Sequence, residues 1–126
     1  MQRKLLSSVR VFYPKFNREK LLKILSEKIK MLELNLPVCK VVLFGSYASG
    51  NYTVGSDIDL LIVYRGKPRS DAYNIVKKTF NIPHIEPHLY TDKEYEQMKE
   101  QIGKMLKTGI ILFYSDEGRI WDEKWV

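Results

Sequence analysis

Residues 40–63, KVVLFGSYASGNYTVGSDIDLLIV, decide how the rest of this 126-residue chain is read. Val41-Val42-Leu43-Phe44 is β-branched and aromatic enough to form a buried strand. Gly45-Ser46 breaks it, and a loop rich in Gly, Ser and Asn leads to a second strand, Asp57-Ile58-Asp59-Leu60-Leu61-Ile62-Val63. Side chains alternate along a strand, so Asp57 and Asp59 project from one face, about 7 Å apart along the chain. Two carboxylates opening an apolar strand are costly if buried unpaired. A divalent cation is their natural partner, since hard oxygen ligands suit Mg²⁺ and phosphate chemistry. The plainer reading is an ordinary turn followed by solvated strand-end acids.

The length suits one domain, residues 1–126, with a real core. No apolar run approaches the ~20 residues that cross a bilayer, and the apolar run behind the basic start is too short for a signal peptide. Cys39 has no second cysteine to pair with and reads as a small core residue. These features suggest a cytoplasmic protein with no membrane partner. The net charge of +6 suits a polyanion such as a nucleoside triphosphate. Its lysines are spread along the chain, which argues against nucleic acid; Lys20, Lys23, Lys28 and Lys30 read as one solvated helix face.

Working outward, Ser8–Phe12 reads as a short strand or arm ended by Pro14. Asn17 is a candidate N-cap for a helix over residues 18–34, with Leu21, Leu25, Ile29 and Leu32 as its stripe. Ser46–Ser49 forms a helical turn ended by Gly50, and the free N–H groups at its start make a cradle for phosphate oxygens. Tyr52 in the following loop is a candidate stacking surface. Ser70 is the expected cap of a helix to Phe80, a crossover to a third strand over residues 82–90. Alternation puts His84, Glu86 and His88 on one face, while Pro87 marks an edge or bulge. Those three could be a zinc site, but neighbours on one strand fan along a line rather than converging. Thr91-Asp92-Lys93-Glu94 fits a capping box ahead of one helix with Tyr95, Met98, Ile102, Met105 and Leu106 as its core face. Ile110–Tyr114 reads as a last strand, and Trp121 and Trp125 as a core cover or interface.

Gly45-Ser46, ten residues, then Asp57-x-Asp59 resembles the signature of the minimal nucleotidyltransferases of the DNA polymerase β-like superfamily. The resemblance implies an α/β, two-layer α+β fold with a mixed sheet. It also implies transfer of a nucleoside monophosphate, with AMP expected, from a triphosphate to an acceptor hydroxyl. Gly45 and Ser46 would hold the triphosphate, and Asp57 and Asp59 two Mg²⁺ ions. A third carboxylate on a following strand is expected, and Glu86 is the only acid there, completing the catalytic and metal set. His88 would support Glu86 or lie near the acceptor. A stand-alone core of this size resembles the antitoxin of pairs in which a helical HEPN ribonuclease toxin is adenylylated, so a HEPN-type partner, ATP and a homo- or hetero-oligomer are expected. The alternatives are a small-molecule nucleotidyltransferase acting on an aminoglycoside-like alcohol, and a binding module that senses nucleotide or inhibits by contact alone.

Overall fold

The computed structural model describes residues 17–53 and 55–115. The expected strand at Ser8–Phe12 and both tryptophans lie outside them. Helix α1 spans Arg18–Leu32, and the Asn17 Oδ1 accepts the Lys20 N–H at 2.9 Å. Its buried residues are Leu21, Leu25, Ile29 and Leu32, the stripe that the 3.6-residue period predicts. A helix of this length is marginal alone, so packing of that stripe sustains it.

Strand β1 (Val38–Phe44) is buried along its whole length. The turn α2 (Ser46–Ser49) follows, closed by Gly50 in the left-handed region. Strand β2 (Ile58–Tyr64) leads through α3 (Ala72–Phe80) to β3 (Ile85–Thr91). Two short helices, α4 (Asp92–Gln97) and α5 (Lys99–Met105), precede β4 (Ile110–Tyr114). The sheet order is β3-β2-β1-β4. Strand β1 pairs antiparallel with β2 and β4, and β2 pairs parallel with β3 across the α3 crossover. This is the mixed sheet and α+β class expected. Pro87 sits on an outer strand, where its missing N–H removes the fewest ladder bonds.

Three local expectations are corrected. Ser70 does not cap α3: Asp71 holds the cap position, and its carboxylate is taken by Arg69 Nε and Nη2 at 3.0 and 2.9 Å. That clasp holds the Asp71 carboxyl below its ordinary range, first through the hydrogen bond from Arg69. The helix expected after Thr91 divides at Met98, whose φ of −109° and ψ of 20° leave the helical region. With that break, Met98 and Met105 are exposed, and Tyr95 and Ile102 carry the packing.

The sheet separates two cores. On one face α1 and α3 cover Val41, Leu43, Leu60, Ile62 and Ile85. On the other, α4 and α5 bring Tyr95 and Ile102 onto Val42, Leu61 and Val63. Cys39 is fully buried in this second core. Among the described residues no helix is long and apolar enough to cross a membrane.

Candidate active site

Phe44, Asp59 and Glu86 are register partners across β1, β2 and β3. Register partners point to the same side of a sheet. Asp59 therefore stands between Phe44 and Glu86, on the face that also carries Leu61 and His88. The Asp59 side chain is 25% exposed, so water reaches it although the strand behind it is buried.

The end of β1 brings the Gly-Ser turn to the same place. Gly45 adopts φ 80° and ψ −153°, a region essentially closed to residues with a Cβ. A Cβ built there would collide with Asp59 Oδ2 and lie 3.3 Å from Asp59 Cγ. The glycine thus serves two needs, the sharp exit from β1 and room beside the carboxylate. Hydrogen bonding within the turn begins with the Ala48 and Ser49 N–H groups, which both donate to the Gly45 carbonyl at 3.1 Å. The Ser46 and Tyr47 N–H groups precede that first bond, as in any helical start.

Two contacts fix the turn from behind. Arg18, the first residue of α1, donates to the carbonyls of Tyr47 and Ala48 at 3.2 and 2.6 Å. The Tyr47 ring stacks on Tyr52 at 4.4 Å between centroids. Tyr52 is thereby engaged inside the protein. Burial pushes the Tyr47 phenol above its ordinary value, with Tyr52 adding to the effect. No local pattern links residue 18 to residue 47, so the Arg18 contact was not readable from the sequence, whereas Tyr52 was readable as a stacking surface without its partner.

Each strand-end aspartate faces a histidine. His88 Nε2 lies 3.4 Å from Asp59 Oδ1, and its ring meets Phe44 edge-on at 5.0 Å. His84 Nδ1 lies 4.0 Å from Asp57 Oδ1, where both side chains are more than half exposed. His84 does not share the strand with Glu86 and His88, as alternation had suggested. It precedes β3 at φ 68°, and its carbonyl accepts the Ile58 N–H at 2.7 Å. Histidine tolerates this left-handed backbone better than most residues. His88, expected to support Glu86 or lie near the acceptor, contacts Asp59. Glu86 is exposed. Among the described residues no three His, Cys, Asp or Glu side chains are gathered closely enough to hold a metal ion, which also leaves the zinc alternative without support.

Farther along the same face, Lys40 is buried with its Nζ 3.3 Å from the Tyr95 hydroxyl and 5.3 Å from that ring's centroid. Desolvation lowers the Lys40 ammonium from its ordinary value and pushes the Tyr95 phenol up to about 12. This pair marks the end of the face that α4 and α5 cover.

A four-stranded mixed sheet, a Gly-Ser turn after its central strand and an acid-bearing neighbour define the architecture of a nucleotidyltransferase. The family profile described as "Nucleotidyltransferase domain" matches residues 18–113, and the chain belongs to that family. Among solved structures, it resembles a protein from Sulfolobus solfataricus described as a candidate nucleotidyltransferase. That likeness has 19% identity and a TM-score of 0.59, covering 91% of this chain and 99% of the other. It also resembles a chain of a toxin–antitoxin complex solved with AMP-PNP, at 20% identity and a TM-score of 0.52, covering 73% of this chain and 75% of that one. At these identities the likeness establishes the fold. No curated protein is similar enough in sequence to count as a relative.

Proposed function

We propose that this nucleotidyltransferase moves AMP from ATP to a hydroxyl of a HEPN-type protein partner, acting as the antitoxin of a toxin–antitoxin pair. The observation that carries the transfer itself is the meeting of Asp59 with the Gly45 turn and Glu86 on one accessible sheet face. The fold shared with a chain of a toxin–antitoxin complex holding AMP-PNP supports the nucleotide and the partner.

The donor types fit divalent metal. Asp57, Asp59 and Glu86 offer hard carboxylate oxygens at the mouth of the site, and the missing Cβ of Gly45 keeps Asp59 Oδ2 open on the turn's side. The three acids are not gathered into one cluster, so to hold two Mg²⁺ ions they would close around them; those ions, when bound, would neutralise phosphate charge and lower the pKa of the acceptor hydroxyl. The Gly45-Ser46 backbone and the Ser46 hydroxyl hold the triphosphate oxygens, with Arg18 fixing the turn that presents them. Glu86, exposed and the register partner of Asp59, would receive the proton of the incoming hydroxyl. The α-phosphorus–oxygen bond to pyrophosphate breaks as the acceptor oxygen attacks in line, so the protein's contribution is chiefly positioning and charge neutralisation.

The test uses ATP labelled on the α-phosphate, Mg²⁺, the purified protein and an extract of its source cells. Label should move to a protein band, and Asp57→Asn with Asp59→Asn should reduce the transfer at least about a thousandfold, the several kcal/mol that such positioning supplies. Label on a small molecule would instead favour the metabolite or drug acceptor. No transfer from any of the four triphosphates would favour a binding module. Undiminished transfer by the double variant would remove the acids from the mechanism.

A further inference from the structure

The two oxygens of Asp59 face different neighbours. Oδ1 lies against His88 Nε2 at 3.4 Å, whereas Oδ2 lies toward the place where a Gly45 side chain would be. His88 is itself held in place. Its ring packs edge-on against Phe44, the register partner of Asp59, with centroids 5.0 Å apart. Its backbone is paired with Leu61 in the parallel ladder, and Pro87 restricts the approach to it. A carboxylate on a half-open face otherwise turns freely about its last torsion, which is broad and two-fold.

We propose that His88 is a positioning residue for Asp59: the imidazole fixes Oδ1, so that Oδ2 is presented to the Gly45-Ser46 turn. The inference rests on the reading of Asp59 as a metal-binding carboxylate. It assigns His88 no contact with nucleotide or acceptor. Outer partners of this kind orient a ligand before the metal arrives, and their loss typically weakens metal affinity 10–100-fold. The glutamine side chain can set its amide nitrogen close to the place of His88 Nε2, so it should replace the histidine where alanine cannot.

The probe is Mn²⁺ alone, titrated at one fixed pH into the full chain without nucleotide, with free Mn²⁺ followed by electron paramagnetic resonance. Wild type, Asp59→Asn, His88→Ala and His88→Gln are compared, and circular dichroism confirms that each is folded. The expected order is tight binding by wild type, roughly 10–100-fold weaker binding by His88→Ala, and recovery to within about threefold in His88→Gln. Wild-type affinity in His88→Ala would overturn the proposal while Asp59→Asn still tests the site. Failure of His88→Gln to recover would also overturn it, pointing to direct ligation by the imidazole. Equal affinity of wild type and Asp59→Asn would remove the metal reading of Asp59, and the role of His88 with it.

Discussion

At Gly45 the backbone conformation and the neighbouring carboxylate make separate demands, and substitution can tell them apart. Gly50 offers the comparison, since it also has positive φ, 92°, but nothing lies within 4 Å of a Cβ built there. Gly50→Ala should carry only the left-handed penalty, about 1 kcal/mol. Gly45→Ala should cost about 1–3 kcal/mol from its rarer conformation and also push Asp59 aside. Urea midpoints would compare the stabilities, and titration with AMP-PNP and Mn²⁺ would compare binding. Only Gly45→Ala should lose that binding; equal loss in both would mean that the turn, not the space beside Asp59, is what matters. The residues of this site were legible because their chemistry is local: a Gly-Ser break and alternating acids announce themselves within a short span. The contacts that orient them were less so: His88 was legible as a support but not as the partner of Asp59, and Arg18 was not legible at all, because both reach the site from positions 29 to 30 residues away.

Helix starts show how far local pattern carries at the next scale. Asn17 and Thr91 were both readable as caps, and both bond as expected. They differ in setting. The Asn17 bond is exposed, so water can replace it, and Asn17→Ala should cost about 0.5–1 kcal/mol. Thr91 is 1% exposed and takes part in a reciprocal box: its Oγ1 accepts the Glu94 N–H at 3.1 Å, and Glu94 Oε1 accepts the Thr91 N–H at 2.9 Å. Thr91→Ala removes one of these bonds from a helix of only six residues, and should cost about 1–2 kcal/mol. Urea midpoints at constant slope would measure both; the reverse ranking would show that α4 is held by Tyr95 rather than by its cap. Ser70 misled because a serine before an apolar stripe is a generic signal, while Arg69 and Asp71 settle the start of α3 through their own side-chain pairing. Met98 and Met105 misled because the apolar spacing runs on through the break at Met98, where the backbone turns both outward.

Across the whole molecule, the sheet face opposite α1 and α3 is divided along its strands. Asp59, Glu86 and His88 occupy the end left open to solvent, beside the buried Phe44, while Lys40, Tyr95 and Ile102 occupy the end sealed by α4 and α5. The crossover made the parallel pairing legible, and Pro87 the outer position of β3. Nothing in the sequence marked Lys40 as the lysine that would be buried, because burial of a long side chain depends on what tertiary packing lays over it. Burial shifts the two groups of this sealed end in opposite senses. Lys40, lowered below 10.5, favours the unfolded chain while it is charged, and this cost fades as the pH rises toward 10.5. Tyr95 is held up at about 12, chiefly by desolvation, against 10.0 when unfolded. Its contribution is intact below pH 10 and is lost as the pH rises through 12, because only the unfolded phenol ionises in that window. Above about pH 11 the lysine is neutral in both states, so the phenol governs what remains. Tyr95→Phe should therefore start less stable at pH 9, having lost the hydroxyl beside Lys40. It should then close the gap on the parent by up to about 2–3 kcal/mol between pH 9.5 and 12. Urea unfolding of both chains at intervals over that range gives the difference directly, and the other tyrosines and lysines cancel from it. Parallel curves would mean that the folded phenol ionises as readily as the unfolded one, and that α4 does not seal this end of the face.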